Sequence, residues 1–172
     1  MTAHATGLAT PGERWVAFLR SYGPVSKADG MFAETVSRQA AKLGLTPLTF
    51  THPETESLDA ALSPSEGRLT NVILTGTAGD GKTTLCNELW FRLTGDDSRR
   101  SGQDRANYRQ ISVNTPQGER TLHFIFEFSG YTPEQNQPWA PEQVDLLNRL
   151  ARSVFDPDPS EYFVVAANDG KL

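Results

Sequence analysis

Apolar residues in the second half of the chain follow two patterns, which predict strands in some stretches and helices in others. Residues 72–75 form a short apolar run, as in a strand, whereas the apolar residues of 84–93 recur at helical spacing. Eight residues rich in glycine, 76–83, stand between the two stretches. The pattern therefore predicts a strand, a tight loop and a helix in direct succession.

Two further apolar runs predict a β-hairpin. Residues 108–114 and 120–128 are strand-like, and Pro116 and Gly118 suit the turn between them. The second run is almost continuously apolar, which is typical of a strand buried on both faces of a sheet. We therefore expect residues 120–128 to lie inside the sheet.

The last apolar stretches predict a helix and a strand. Pro141 suits the first turn of a helix over 141–155, which Asp156 and the following proline would end. Helical spacing predicts the inward face of this helix as Val144, Leu147, Leu150, Ala151 and Val154. Residues 162–167 predict another strand, which Asn168 follows.

The first third of the chain lacks this alternation of strands and helices. Helices are predicted over 11–22, 31–43 and 56–62, with a short strand over 45–50. We therefore divide the chain into an N-terminal helical extension and linker, residues 1–67, and a core, residues 68–172. The core pattern predicts a three-layer α/β sandwich with a mainly parallel sheet.

The glycine-rich loop has the residue types that a polyphosphate site needs. It fits the Walker A pattern of Gly, four free residues, Gly, Lys and Ser/Thr, with Gly76, Gly81, Lys82 and Thr83 at the specified positions. Glycines let backbone N–H groups curl around an anion, and the next helix turns its positive end toward the same point. Lys82 would contact the β- and γ-phosphates, and Thr83 would bind magnesium. The alternative is a strand-to-helix turn that binds nothing.

The other loop positions are predicted to contribute main-chain groups. Thr77, Ala78 and Gly79 are predicted to line the concave, anion-facing side of the loop, which we call the cradle. Gly79 leaves one more position of the cradle without a side chain. Asp80 occupies a free position, at which only its backbone need face the ligand. We therefore expect the cradle to be mostly backbone.

Two polar residues at predicted strand ends complete the candidate site. We expect the strand that carries Glu127 to lie beside strand 72–75, where this carboxylate would hold magnesium through a water or polarise the attacking water. The alternative is a strand-end glutamate that reaches solvent. Asn168 is either a polar sensor of the γ-phosphate or part of a turn.

The loop with its flanking strand and helix, the acidic strand end and the strand that ends at Asn168 resemble the P-loop ATPase core of the AAA type. The resemblance implies ATP and Mg²⁺ as ligands, Glu127 at the end of the Walker B strand, Asn168 as sensor 1 and Thr84 near the α-phosphate. Most Walker B strands carry Asp at that point, so Glu127 departs from the pattern. Residues 164–170 also resemble ATPases of bacterial phage-defence and DNA-restriction systems.

GTP is the alternative nucleotide. The hairpin that ends in residues 127–130 is similar to the small-GTPase arrangement, in which an Asp-x-x-Gly turn follows the second strand. The sequence lacks the guanine-specific Asn-Lys-x-Asp motif, so ATP is the favoured nucleotide. A third possibility is a module that binds nucleotide without hydrolysing it and presents a surface to a partner.

The resemblance also implies elements beyond this sequence. A P-loop core continues past the strand that ends at Asn168, and AAA proteins add a helical lid and an arginine finger. We therefore expect either a fragment of a longer protein or a site that a protein partner or self-association completes. Catalysis in isolation should be slow, because phosphoryl transfer depends on assembled electrostatic stabilisation.

Composition limits the other functions that the chain could have. The 172 residues are 37% hydrophobic and 22% charged, with a mean hydropathy of -0.45, which is typical of a soluble globular protein. No apolar run has the length of a membrane span and residues 1–10 lack the pattern of a secretory signal, so we expect a cytoplasmic protein without a membrane partner. The net charge of -5 argues against general nucleic-acid binding, which is expected only through a larger assembly.

Cysteine, histidine and arginine positions have structural interpretations. Cys86 stands among apolar residues of the predicted helix and is expected in the core, and the three scattered histidines lack the spacing of metal ligands. The basic cluster alternates with aspartates in and after residues 95–107 and consists of Arg99, Arg100, Arg105 and Arg109. Because the opposite charges nearly cancel, we expect a solvated loop rather than a phosphate or nucleic-acid contact.

Overall fold

The computed structural model describes residues 10–21, 40–46, 51–77, 79–100, 103–131, 133 and 137–168. The chain forms two compact units, Met1–Phe50 with Arg100–Gly102, and Thr51–Arg99 with Gln103–Leu172. The units divide after Phe50, earlier in the chain than the boundary predicted at residue 67. None of the described helices combines the length and apolar character needed to cross a bilayer.

The first unit contains helix α1, Pro11–Ser21, at the place predicted. Thr10 and Glu13 cap its start reciprocally: the Glu13 N–H donates to Thr10 Oγ1 at 3.3 Å, and the Thr10 N–H donates to Glu13 Oε2 at 2.9 Å. These bonds satisfy N–H groups that the helix itself cannot satisfy. Most of two other predicted elements lies outside the described residues, namely the helix over 31–43 and the strand over 45–50.

The second unit alternates helices and strands. Its elements in chain order are α2 (Thr55–Ala61), β1 (Val72–Leu74), α3 (Lys82–Thr94), β2 (Tyr108–Thr115), β3 (Gly118–Ile125), α4 (Phe128–Tyr131), α5 (Pro141–Phe155) and β4 (Glu161–Ala166). A short 3₁₀ helix, Pro64–Glu66, precedes β1. Every helix and strand predicted for this region is present, but β3 ends before Phe128, which begins α4 instead.

The four strands form one sheet in the order β1-β4-β3-β2. β4 is parallel to both β1 and β3, and β2 pairs with β3 as the antiparallel half of the predicted hairpin. Leu74 lies opposite Ala166, and Ile125 lies opposite Val165, so the carboxyl ends of the three parallel strands meet at one edge. The α/β class and the mainly parallel sheet are therefore confirmed.

One face of the sheet packs against α3, and we call it the α3 face. Its buried cluster is entirely apolar and consists of Leu62, Cys86, Leu89, Trp90, Leu122, Phe124, Phe126, Val164 and Ala166. Cys86 is fully buried, and burial raises the pKa of its thiol to about 12. The prediction that Cys86 is a core residue is confirmed.

The opposite face packs against α5, and we call it the α5 face. Its apolar cluster consists of Ile125, Leu146, Phe163 and Val165. On α5, Leu146 and Ser153 are buried, whereas Val144 and Val154 are 43% and 53% exposed. The prediction that these valines face inward, together with Ala151, is wrong, because the helix turns Leu146 and Ser153 toward the sheet.

A buried histidine organises the polar part of the α5 face. His123 on β3 is fully buried and stacks between the rings of Tyr108 and Phe163. Arg149 donates from Nη2 to His123 Nε2 at 3.2 Å, so the proton of the neutral ring is on Nδ1 and faces Tyr108 Oη at 2.9 Å. Arg149 also pairs with Glu161 through Nε and Nη2, at 2.9 and 2.5 Å. Burial, with the Arg149 charge as a second cause, lowers the pKa of His123 and keeps its ring neutral at neutral pH.

Candidate functional site

The loop between β1 and α3 has the backbone conformation that its glycines allow. Gly76, Gly79 and Gly81 have φ angles of 152°, 96° and 81°, in the region that residues with a side chain rarely adopt. A Cβ atom on Gly76 would also lie 2.5 Å from Asp80 Oδ2. All three glycines of the predicted cradle are therefore needed by the conformation of the loop.

The loop leads directly into the first turn of α3. Gly81 is the N-cap residue and supplies no side-chain cap. The first intrahelical bond after it runs from the Leu85 N–H to the Gly81 carbonyl at 2.9 Å. N–H groups in the first turn of a helix have no intrahelical partner, and together with the helix dipole they favour an anion. Thr83 and Thr84 are exposed in this turn, directly after the loop.

Lys82 turns back onto the loop that precedes it. Its Nζ donates to the carbonyl of Gly76 at 2.9 Å and to the carbonyl of Thr77 at 2.6 Å. An ammonium group has three N–H donors, so these contacts leave one for an anion in the loop. These two bonds hold the Lys82 ammonium group against the loop.

Asp80 has a role that sequence analysis missed. Its Oδ2 accepts the Thr77 N–H at 2.6 Å, and the Thr77 hydroxyl donates to Oδ1 and Oδ2 at 3.0 and 3.1 Å. The expectation that only the backbone of Asp80 matters is therefore incomplete, because its side chain braces the loop. A short carboxylate three residues after a threonine in a tight loop is the signal that could have suggested this contact.

His52 also contacts the loop, although its sequence position suggested no role. Its Nδ1 accepts the Glu54 N–H at 3.2 Å, so in the neutral ring the proton is on Nε2, which faces the Asp80 carbonyl at 3.4 Å. The ring lies 3.6 Å from the position that a Cβ of Gly81 would occupy. Residues before α2 thus support the loop from the side.

Asn168 lies at the same edge of the sheet as the loop. The Ala167 N–H donates to the Leu74 carbonyl at 2.9 Å and continues the β1–β4 ladder past both strands. Asn168 follows at once and is half-buried, next to the start of the loop after β1. Ala78, another predicted cradle residue, lies outside the described residues.

Glu127 is at the predicted edge of the sheet, but its strand has a different neighbour. The prediction that this strand lies beside β1 is wrong, because β4 separates β3 from β1. Neighbouring strands are about 4.8 Å apart, so Glu127 and the loop are separated by roughly 10 Å across the sheet. Glu127 Oε1 accepts the Ser129 N–H at 3.1 Å and also the Ser129 hydroxyl, so it braces the first turn of α4. Its role as a magnesium ligand stays a prediction.

Arg99 contradicts the expectation of a fully solvated arginine loop. It is only 5% exposed, and its guanidinium carbon lies 3.3 Å from the centroid of the Phe126 ring. Nε donates to Asn87 Oδ1 on α3 at 3.1 Å, and Nη1 donates to the Ala106 carbonyl at 2.7 Å. Burial lowers the pKa of Arg99, and the Asp104 carboxylate offsets part of this shift. Arg99 therefore ties the helix after the loop to the residue that precedes Glu127.

The described residues fit a polyphosphate with a hydrated magnesium ion. The first turn of α3 supplies N–H groups without intrahelical partners, next to the Lys82 ammonium group and the exposed Thr83 hydroxyl, and a triphosphate with its metal requires such groups. Magnesium usually keeps several waters and takes few protein oxygens, so a single protein ligand such as the Thr83 hydroxyl is compatible with such an ion. The residues fit the phosphates better than the metal, because the strand that leads to Glu127 is separated by β4 from the strand that leads to the loop.

Comparisons with protein-family models, with curated proteins and with solved structures find no match to this chain. The assignment of a ligand class to the loop therefore depends on its own glycine conformations, its helix terminus and Lys82. These three features meet at one edge of the sheet, with Asn168 beside them.

Proposed function

We propose that the chain binds Mg²⁺-ATP at residues 76–84 and hydrolyses its γ-phosphate, as a P-loop nucleoside triphosphatase similar to the AAA type. One observation carries the proposal: both glycines that the pattern specifies, Gly76 and Gly81, and the additional Gly79 have positive φ angles directly before the helix that begins at Lys82. A turn that binds nothing has no need for three such positions and a lysine folded over them.

Each residue of the site has a proposed role in binding. Backbone N–H groups of 81–84 hold the phosphates, and the Lys82 ammonium contacts the β- and γ-phosphates with the donor that its carbonyl contacts leave. Thr83 contributes its hydroxyl to the magnesium ion, and Thr84 lies near the α-phosphate. Magnesium, when bound, neutralises charge that develops on the phosphate oxygens.

Glu127 and Asn168 have proposed roles in the reaction. Glu127 polarises the attacking water or holds a metal-bound water, across the width of β4. Asn168, beside the loop, donates its side-chain amide to the γ-phosphate. A protein partner or a second copy supplies further positive charge, and turnover by the chain alone is therefore slow. A role in a bacterial defence or DNA-processing assembly belongs to this proposal.

Calorimetry combined with a phosphate-release assay tests the proposed activity. We expect ATP to bind more tightly than GTP, and Glu127→Gln to lower phosphate release by about a hundredfold while ATP affinity stays the same. Glu119→Gln is the matched control, since Glu119 is exposed at the hairpin turn. Equal turnover in Glu127→Gln and the unchanged protein would remove Glu127 from the mechanism, and tighter binding of GTP would favour the small-GTPase alternative.

A second candidate function is a nucleotide-dependent interaction module that does not hydrolyse its ligand. The contact of Glu127 with Ser129 favours this candidate, because a carboxylate that braces α4 is less available to a reacting water. ATP binding without phosphate release, alone and in the presence of a partner, would support the module over the enzyme.

A further inference from the structure

We infer that Asp80 is a specificity-determining residue, which makes the loop favour metal-bound triphosphate over metal-free triphosphate. The inference rests on the proposed function, because it concerns the charge of the ligand that this loop binds. It adds a residue whose side chain the Walker A pattern leaves unspecified.

The Asp80 carboxylate is held against the loop by specific contacts. Oδ2 accepts the Thr77 N–H at 2.6 Å, and the Thr77 hydroxyl donates to both carboxylate oxygens at 3.0 and 3.1 Å. Oδ2 also lies 2.5 Å from the position of a Cβ on Gly76, so the missing side chain makes room for it. A negative charge is therefore fixed against the first two residues of the cradle.

Lys82 places a positive charge against the same two residues. Its Nζ contacts the carbonyls of Gly76 and Thr77 at 2.9 and 2.6 Å. The loop thus holds one positive and one negative side chain next to the same two residues. In this arrangement the ammonium attracts the polyphosphate and the carboxylate opposes excess negative charge.

The charge of the ligand determines how strongly the Asp80 carboxylate repels it. Metal-free ATP carries roughly four negative charges at neutral pH, and a bound magnesium ion cancels about two of them. The repulsion from Asp80 is proportional to the net charge of the ligand, so it is about twice as large for metal-free ATP. Asp80 is exposed, so water screens this repulsion and reduces its absolute size.

Two substitutions separate the charge of Asp80 from its bracing contacts. Asp80→Asn removes the charge but keeps a side-chain oxygen that can accept the Thr77 N–H, whereas Asp80→Ala removes both. The matched control is Asp158→Asn, since Asp158 precedes β4 and lies at the amino end of the strands, away from the loop. All four proteins are compared by calorimetry with ATP plus EDTA and with ATP plus magnesium chloride.

We expect Asp80→Asn to bind metal-free ATP about tenfold more tightly and Mg²⁺-ATP within about threefold of the unchanged protein. Asp80→Ala should show the same change in preference, with weaker binding of both forms because the loop loses its brace. An unchanged preference in Asp80→Asn would overturn the inference, and so would weaker binding of both forms by the same factor in Asp80→Ala. Failure of the proposed function gives a different result, in which the unchanged protein binds neither form of ATP.

Discussion

The α3 face and the α5 face of the sheet are formed by adjacent residues of the same strands, but the side chains buried on the two faces differ in polarity. On β3, Phe124 faces α3 and lies 5.3 Å from the Trp90 ring, with the planes perpendicular. Its neighbour His123 faces α5 and is surrounded by hydrogen-bonding and charged groups. The helix after the glycine-rich loop therefore packs on a mainly apolar surface, whereas α5 packs on a surface that contains a titrating histidine.

This difference has a physical consequence for the candidate site. Apolar packing involves no titrating group, so the position of α3 should be insensitive to pH. Arg99 and Asn87 are buried polar residues on the α3 face: Arg99 covers the Phe126 ring and donates a hydrogen bond to Asn87 of α3. The stability of the α5 face should instead change when His123 gains a proton.

The largest expected effect is the loss of packing on the α3 face. Phe124 is fully buried at the centre of its cluster, so Phe124→Ala should lower the free energy of unfolding by about 3–5 kcal/mol. Urea denaturation followed by circular dichroism measures this change. The control is Phe155→Ala, since Phe155 is 86% exposed, and its expected effect is within about 0.5 kcal/mol. Similar losses in the two variants would show that Phe124 is not part of a tightly packed core.

A smaller loss of stability is expected when acid protonates His123 on the α5 face. The pKa of His123 is lowered in the folded protein, first by burial and then by Arg149, so the unfolded chain takes up a proton at higher pH than the folded protein does. Stability should therefore be unaffected well above the ordinary histidine pKa of about 6.5 and should fall below it, by at most about 1.4 kcal/mol per pH unit.

Denaturant unfolding between pH 5 and pH 8, compared for the unchanged protein and His123→Phe, checks this prediction. The slope below pH 6.5 should disappear in the variant, which has no titrating ring. Glu161 loses its charge in a lower pH range: the Arg149 hydrogen bond lowers its pKa, so its contribution to stability is present above its ordinary value of about 4.5 and is lost at lower pH. The same slope in both proteins between pH 5 and pH 6.5 would contradict the assignment to His123.

Sequence patterns predicted the elements of the second unit well, because local signals determine where they begin and end. Pro141 and Asp156 mark the helix that the structure places at Pro141–Phe155. Gly81 and Lys82 likewise mark the start of α3. In each case a restricted backbone angle or a helix-terminal residue determines the helix boundary within one turn. No contact with a distant residue is needed.

The features that the sequence patterns did not predict depend on contacts between residues far apart in the chain. The order of strands is not encoded in any one of them, so Glu127 was expected beside β1 although β4 lies between. Arg99 is surrounded by aspartates in the sequence, and only the tertiary structure brings Phe126 beneath it. Val144 is apolar but exposed, because the phase of α5 is set by which of its residues meet the sheet.

Calorimetric titration of Lys82→Ala with Mg²⁺-ATP tests the central claim most directly. The claim predicts that affinity falls by roughly a hundredfold, because the variant loses a charged hydrogen-bond donor at the phosphates. Lys42→Ala removes the same side chain from the first unit and should bind as the unchanged protein does. Unchanged affinity in Lys82→Ala would contradict the assignment of the loop as a polyphosphate site.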